Sequence, residues 1–155
     1  MARPNDIGTI AETAVVKYLR THGWPSAGRR TLGGAHDLGD ITGTPGVCWE
    51  IKSGKTAEKA GDGLIVDWLD ETETERRNSG SDLGILVTKR AGYGPDRAAS
   101  WWAHLDLVTW YSLTHARRPL QVDILSQPIR MHLSTLLPIL HTAGYGTPTS
   151  TEAVA

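Results

Sequence analysis

The sequence predicts an α/β fold in which a mixed β-sheet is flanked by helices. Three observations predict it. A helical apolar pattern covers residues 6–20, two short apolar runs joined by a Gly- and Pro-containing turn follow at 37–42 and 47–53, and a wholly apolar run covers 83–88. Helices that alternate with short apolar strands are typical of a sheet with helices packed on its faces.

The first helix carries a carboxylate at the border of its apolar stripe. Asn5 or Asp6 is suited to the N-cap, and Gly23 supplies a stop. Glu12 lies beside the stripe and not opposite it, which leaves two interpretations: a flank acid paired with Arg20 or Lys17, or a carboxylate that leans over the sheet. We favour the second because of the acids that follow. The stripe consists of Ile7, Ile10, Ala11, Ala14, Val15, Tyr18 and Leu19.

The next segment predicts a hairpin that collects two acids and a lysine. Its turn is Gly43-Thr44-Pro45-Gly46, between strands at 37–42 and 47–53. Alternation along the second strand places Glu50 and Lys52 on the same face, and the hairpin brings Asp40 alongside Glu50. Asp37 is a rival for Asp40, although it lies nearer the loop and is better suited to capping a turn.

Two carboxylates and an amine at one sheet edge suit the hydrolysis of a phosphodiester. Carboxylate oxygens hold a hard cation such as Mg²⁺, the cation neutralises phosphate charge and activates water, and an ammonium orients or deprotonates that water. The ordinary alternative is a solvated Glu-x-Lys ion pair with no catalytic role. The apolar neighbours Val47, Trp49 and Ile51 favour the functional interpretation, because solvated charges are not expected among them.

The chain resembles a known family, the PD-(D/E)XK nucleases, and within it the archaeal-type Holliday junction resolvases. The motif similarity covers about residues 6–56, and the order of elements extends it to about residue 105. Gly39 stands where the family pattern has proline. The matching residues are Gly8, Glu12, Leu19 and Gly23 in the first helix, Arg29, Arg30, Gly33 and Gly34 in the loop, then Asp40 and Glu50-Ile51-Lys52-Ser53.

The resemblance implies a restriction-endonuclease-like core and a DNA endonuclease that resolves four-way junctions. It implies that Asp40, Glu50 and Glu12 bind Mg²⁺, with Mn²⁺ as a possible substitute, and that these acids and Lys52 form the catalytic set. The Ile51 carbonyl is a further candidate ligand. A homodimer acting on branched DNA, in a prokaryotic cell or a phage-infected host, is also implied. A restriction- or repair-type nuclease and a non-catalytic DNA-binding protein of the same fold remain alternatives.

The distribution of charge permits a DNA-binding face although the net charge is −1. Lys and Arg exceed Asp and Glu by 2 over residues 1–57 and by 2 over 86–155, whereas residues 58–85 carry −5. Arg29 and Arg30 lie in the loop that leads to the predicted site, and Lys55 follows the Glu-x-Lys strand. We therefore expect these three residues to contact phosphates.

The remaining elements complete a single predicted nuclease domain over 1–147, with its core at 6–105, an extension at 106–147 and a disordered tail at 148–155. An acidic helix is predicted over 57–78, weakened at Gly61 and Gly63, with its acids Asp67, Asp70, Glu71, Glu73 and Glu75 in solvent. Further predictions are a strand at 98–105, a helix capped by Asp106 and ending near His115, strands at 122–125 and 128–133, and a helix at 134–143.

Other features of composition favour a cytoplasmic protein. Cys48 is the only cysteine, which excludes an intramolecular disulfide and a cysteine-based zinc site. The start of the chain lacks the pattern of a secretory signal, and no apolar run approaches membrane-spanning length. The leucine-rich stretch at 133–140 is apolar enough to pack either on the core or on a second subunit.

Overall fold

The computed structural model describes residues 4–31, 34–115 and 127–148. Five helices, one 3₁₀ helix and six strands lie within these ranges. In chain order they are α1 (Pro4–Thr21), β1 (Gly28–Arg29), β2 (Ile41–Thr42), β3 (Val47–Lys52), α2 (Gly54–Glu58), α3 (Asp62–Ser79), β4 (Leu83–Thr88), the 3₁₀ helix (Pro95–Ser100), β5 (Trp102–Asp106), α4 (Leu107–Thr114), β6 (Pro128–His132) and α5 (Leu133–Thr142).

The main sheet has four strands in the order β3, β4, β5, β6. Strands β3 and β4 are parallel, with Glu50 opposite Leu86, and the other two pairs are antiparallel. The predicted α/β class and the mixed sheet flanked by helices are therefore confirmed. Strands β1 and β2 form a separate antiparallel pair.

The two faces of the main sheet have different partners. The residues of one face, which include Trp49 and Val87, join a single core with α1 and α5. Helix α3 packs on the other face, where Thr72 lies close to Gly84. Because both faces are covered, every residue of β3 except Lys52 is buried.

The predicted hairpin is wrong in its pairing, although its turn is present. Gly46 has φ +81°, and the Val47 N–H donates to the Thr44 carbonyl at 3.1 Å. However, the strand before the turn is only Ile41–Thr42, and it pairs with Gly28–Arg29 instead of β3. The predicted strand over 37–40 does not form, because Gly39 at φ +83° turns the chain just before Asp40.

Two other predicted elements change at their boundaries. The helix predicted over 57–78 is divided at Gly61, where α2 and α3 are separated, so the weakness expected there is confirmed. The strand predicted from Ala98 begins only at Trp102, because Pro95 starts a 3₁₀ helix that continues to Ser100. Asp106 caps α4 as predicted, its carboxylate accepting from the Thr109 N–H at 2.6 Å.

The leucine-rich segment was expected to pack either on the core or on a second subunit, and in helix α5 it packs on the core. Leu133, Leu136, Leu137 and Leu140 are completely buried within the chain's own core. This apolar face is therefore already covered and does not supply a dimer interface. The strand predicted at 122–125, Gly33 and residues 149–155 of the predicted tail lie outside the described residues.

Two composition-based expectations can be compared with the structure. Cys48 is a free, buried thiol, and burial raises its pKa to about 12, so it stays protonated at neutral pH. None of the helices in the described part of the chain is long and apolar enough to cross a membrane.

His104 is expected to make the stability of the fold sensitive to acid. Its Nε2 is 2.9 Å from the Thr88 hydroxyl, and burial, with the charge of Arg130, lowers its pKa to about 4. Since the pKa is lower in the folded than in the unfolded chain, this contribution is complete above pH ~6.5 and is lost as the pH falls through about 4. The lowering corresponds to about 3 kcal/mol at most.

Urea denaturation of wild type and His104→Gln between these pH values measures the effect. The difference in unfolding free energy between the two proteins should shrink as the pH falls, because glutamine cannot take up the proton. A difference that is constant with pH would contradict the expectation.

Candidate active site

Backbone contacts place the Asp40 carboxylate beside the Glu-x-Lys strand. The Asp40 N–H donates to the Trp49 carbonyl, and the Arg30 N–H donates to the Asp40 carbonyl, both at 2.8 Å. The Ile51 N–H donates to Asp40 Oδ2 at 2.7 Å. The carboxylate is thereby held at the edge of β3, next to Glu50, although the predicted hairpin does not form.

The turn before Asp40 needs a residue that tolerates a left-handed backbone. Gly39 has φ +83°, a value that proline cannot adopt because its ring fixes φ near −65°. Asp37 accepts a hydrogen bond from the Gly39 N–H at 3.1 Å, as expected of an acid that caps a turn. Asp40, and not Asp37, is therefore the acid that the fold brings to Glu50.

Replacing Gly39 with Ala is expected to displace Asp40. A Cβ atom at position 39 would lie 2.7 Å from Cys48 Sγ and 2.9 Å from the Trp49 carbonyl oxygen. The left-handed backbone and these contacts together should lower the free energy of unfolding by roughly 1–3 kcal/mol. Gly92→Ala is a matched control, since Gly92 has φ +78° but open space around it. Equal losses for both variants in urea denaturation would show that the close approach has no effect.

The buried Glu50 and the partly exposed Lys52 form an ion pair that reaches helix α3. Lys52 Nζ lies 2.6 Å from a Glu50 carboxylate oxygen and 2.9 Å from one of Glu71. Glu50 is only 7% exposed. Burial by itself lowers the pKa of Lys52, but the hydrogen bonds to the two glutamates raise it overall. Lys52 is therefore a fixed cation in this arrangement and is poorly suited to removing a proton from water.

The two principal acids carry an electrostatic cost in the absence of a cation. Burial, followed by the charge of Glu50, raises the pKa of Asp40 to about 8, against the lowering effect of the Ile51 N–H. Burial also raises the pKa of Glu50 to about 7, although the hydrogen bond to Lys52 opposes the change. Both carboxylates would be stabilised by a positive charge placed between them.

A third acid of the site, Glu75 of α3, was expected in solvent and is instead buried. It is 5% exposed, it hydrogen-bonds to Glu50, and its Oε2 has no hydrogen-bond partner. Burial raises its pKa to about 7. The sequence contains a signal for this placement: Ile65, Thr72 and Glu75 follow one stripe at helical spacing and are the buried residues of α3. Glu71, one turn earlier, is exposed but contacts Lys52.

Glu12 faces the site from α1 but is paired with a residue predicted to bind DNA. Its Oε2 accepts from Arg29 Nε at 2.7 Å, and Arg29 also donates to the Thr9 hydroxyl at 3.2 Å. Neither Arg20 nor Lys17 is this partner. The charge of Glu12 still contributes to raising the pKa of Asp40, so the two carboxylates share one electrostatic environment.

An open cleft of about 1310 Å³ contains Glu12 and Asp40 on its walls. Arg30 is half-buried and donates from Nε to the Gly39 carbonyl at 3.1 Å, so it supports the turn that carries Asp40. Lys55 is exposed on α2 and is not among the residues that line the cleft. The lining residues are Gly8, Thr9, Glu12, Arg29, Arg30, Thr31, Gly34, Ala35, His36, Asp37, Leu38, Gly39, Asp40 and Thr42.

The acids can be compared with the requirements of a divalent cation. Within the described ranges, no group of three or more His, Cys, Asp and Glu side chains is close enough to hold a metal ion. Burial, followed by the charge of Glu50, raises the pKa of Asp40, whereas the pKa of Glu50 itself is raised by burial and then by the charge of Glu75. Mg²⁺ retains several waters and is usually held by one or two carboxylates together with substrate phosphates. Asp40, which lines the cleft, and the buried Glu50 beside it therefore fit Mg²⁺ better than they fit zinc.

Comparison with known proteins adds no assignment of function. A scan of protein-family models finds no match to the chain, and searches of curated proteins and of solved structures find no significant similarity.

Proposed function

We propose that this chain is a Mg²⁺-dependent endodeoxyribonuclease with a restriction-endonuclease-like core. The observation that carries the proposal is the meeting of Asp40, Glu50 and Lys52 at one edge of β3, with the Glu50 to Lys52 contact at 2.6 Å. The meeting is achieved through a turn at Gly39 and not through a regular hairpin. Its support is therefore independent of the pairing that the sequence predicted.

Each side chain has a role that its contacts suit. Asp40 and Glu50 would hold the cation, and Mn²⁺ is a candidate substitute. When bound, the cation supplies positive charge to the phosphate and lowers the pKa of a water molecule. The Ile51 N–H keeps the Asp40 carboxylate oriented, and Glu71 keeps Lys52 beside Glu50. Lys52 would then stabilise developing negative charge as a fixed cation.

The remaining acids and bases act around this centre. Glu12 adds negative charge to the cleft, and its pairing with Arg29 fixes the position of both side chains. Arg30 supports the Gly39 turn and also lines the cleft, where it can meet a phosphate. Lys55 is exposed on α2, just beyond the end of β3, and is available to a more distant phosphate.

We further propose that the preferred substrate is a four-way DNA junction and that the active form is a homodimer. The motif resemblance supports the junction, and the two-fold symmetry of a junction favours a symmetric enzyme. Because the leucines of α5 are used in the core, the dimer would need a different surface. Light scattering at micromolar protein concentration measures the oligomeric state. A mass equal to that of a monomer would contradict the proposed homodimer.

A gel assay tests the reaction and its substrate together. End-labelled four-way junction, linear duplex and single strand are incubated with wild type or Glu50→Gln, in Mg²⁺ or in EDTA. Paired nicks confined to the junction, lost in EDTA and in the variant, are the expected result. Cutting of linear duplex would assign the chain to the restriction or repair nucleases. Binding without cutting would make it a non-catalytic DNA-binding protein.

A further inference from the structure

A second charged surface lies at one end of the main sheet and is built from stacked arginines and aromatic rings. We call it the arginine–aromatic cluster. Its members come from the segment after β4, the 3₁₀ helix and strands β5 and β6, so four separate parts of the chain meet there. They are Arg90, Tyr93, Arg97, Trp102, Arg130 and His132.

Arg90 is the centre of the cluster. Its guanidinium carbon lies 4.2 Å from the centre of the Tyr93 ring and 4.5 Å from that of the Trp102 ring. Its Nη1 is also 3.0 Å from Nε2 of His132. Two ring contacts and a hydrogen bond hold the planar group in one orientation, which reduces the entropy it would lose on binding a ligand.

Two further guanidiniums stack on the same rings. The guanidinium carbon of Arg130 lies 4.3 Å from the centre of the Trp102 ring, and that of Arg97 lies 4.6 Å from the centre of the Tyr93 ring. The His132 ring stacks on Trp102 with its centre 4.9 Å away. Trp102 is thus surrounded by its own neighbours and serves to position cations, rather than to stack on a nucleic-acid base.

The positive charge of the cluster is not neutralised within the described part of the chain. Arg29, Arg76 and Arg77 pair with glutamates, whereas Arg90, Arg97 and Arg130 form no ion pair with a carboxylate among the described residues. Arg97 and Arg130 are exposed. Three positioned guanidiniums with free N–H groups match the geometry of phosphate oxygens, which they can bind through paired hydrogen bonds.

The strand register relates the cluster to the proposed active site. Lys52 pairs with Thr88, Thr88 with Trp102, and Trp102 with His132, so these residues form one row across the sheet. Neighbouring strands are ~4.8 Å apart, which places Trp102 and His132 roughly 10 and 14 Å from Lys52 along the row. Successive phosphates of a DNA strand advance about 3.4 Å along the helix axis. The separation therefore corresponds to about three or four nucleotides.

We propose that the arginine–aromatic cluster binds the phosphate backbone of DNA, three or four nucleotides away from the phosphate that is cut. The position relative to the cut rests on the proposed nuclease function, whereas phosphate binding does not. Binding of this kind is independent of base sequence and depends strongly on salt. It adds a contact surface to Arg29, Arg30 and Lys55, which lie on the other side of β3 or beyond its end.

The test measures DNA affinity in EDTA, so that cleavage does not enter. Fluorescence anisotropy with labelled duplex gives the binding constant of wild type and of the double variant Arg97→Gln/Arg130→Gln over a range of salt concentrations. Both residues are exposed, so the fold should be retained, and circular dichroism checks this. Arg77→Gln is the matched control, because the Arg77 side chain is 72% exposed but paired with Glu73 at 2.8 Å.

The double variant should reduce the slope of log K against log salt by about 2, or about 1 for each arginine. Its affinity near 0.1 M salt should fall roughly tenfold, with Arg77→Gln unchanged. An Arg97→Lys/Arg130→Lys variant should recover part of the affinity, because it keeps the charge but loses the planar stack.

The outcomes separate this proposal from the nuclease proposal. If the double variant has the wild-type slope, the proposal that the cluster binds DNA is wrong, even if the wild type cuts DNA. If the double variant has a reduced slope but the wild type cuts no DNA, the result would support DNA binding by the cluster and contradict the nuclease proposal. Binding to anionic phospholipid vesicles is measured for the same proteins. If the double variant loses vesicle binding but binds DNA as wild type does, the cluster is not a DNA site.

Discussion

Replacing Asp40 with Asn, or Glu50 with Gln, is expected to lower Mg²⁺-dependent DNA cleavage by roughly 10³-fold or more. Each change removes one of the two carboxylates that would hold the cation but keeps the shape of the side chain. The amide oxygen of Asp40→Asn can still accept from the Ile51 N–H, and that of Glu50→Gln can still accept from Lys52. Loss of activity would therefore report loss of charge and not loss of the local structure.

The same variants are expected to stabilise the protein in EDTA. The pKa values of Asp40 and Glu50 are raised to about 8 and about 7, above their ordinary values near 4. The folded chain thus binds these protons more tightly than the unfolded chain does. The stability that this gives is present at low pH and is lost as the pH rises from about 4 through about 8. An amide at either position removes that loss.

Thermal unfolding with and without Mg²⁺ completes the measurement. At pH 8 in EDTA the variants should unfold at a higher temperature than wild type, while Mg²⁺ should stabilise wild type alone. Asp37→Asn is the control, since an amide oxygen can keep the hydrogen bond from the Gly39 N–H. Wild-type cleavage by Asp40→Asn, or strong loss in Asp37→Asn, would overturn the choice of Asp40.

The part of the site that the sequence predicted is the part that depends on local periodicity. Alternation along β3 puts Glu50 and Lys52 on one face, and their contact follows from that spacing alone. The position of Asp40 was also predicted, but for a different reason from the one that operates. A regular hairpin was expected, whereas the turn at Gly39 and two hydrogen bonds to the backbone of β3, one from the Asp40 N–H and one to its carboxylate, place Asp40 beside β3.

The part that the sequence did not predict depends on tertiary contacts. The choice of β1 as the partner of β2 involves residues 28–29, which carry no strand pattern of their own. The stacking of Arg90, Arg130 and Trp102 requires β5 and β6 to be adjacent. Periodicity is a property of one element at a time, and so it cannot identify either contact.

Of the acids of α3 that were expected in solvent, Asp67, Asp70 and Glu71 are exposed, whereas Glu75 is buried. Acids on a surface helix normally point to solvent, and Asp70 does so. Glu75 lies on the buried stripe and meets Glu50, where an unpaired carboxylate would be costly unless a cation or a shared proton compensates it. Its hydrogen bond to Glu50 is suited to a shared proton, and in the proposed enzyme a bound cation would relieve the same cost.

Glu75→Gln is therefore expected to raise the Mg²⁺ concentration needed for half-maximal cleavage by about 10- to 100-fold, as for other residues that support a metal ligand. In wild type the negative charge of Glu75 acts on Glu50 through a side-chain contact. The maximal rate of cleavage at saturating Mg²⁺ should therefore change much less than the Mg²⁺ concentration for half-maximal cleavage. In EDTA the variant should be more stable than wild type at pH 8, because the raised pKa of Glu75 carries the same cost as that of Glu50.

A titration of cleavage with Mg²⁺ measures the first effect, and thermal unfolding in EDTA measures the second. Asp70→Asn removes one negative charge from an exposed position of the same helix and should leave both quantities unchanged. If Glu75→Gln has the Mg²⁺ dependence of wild type but gains stability, Glu75 is a buried acid of the core and has no part in holding the cation. If both variants shift the Mg²⁺ dependence equally, the effect comes from net charge, because the two positions share charge and differ only in burial beside Glu50.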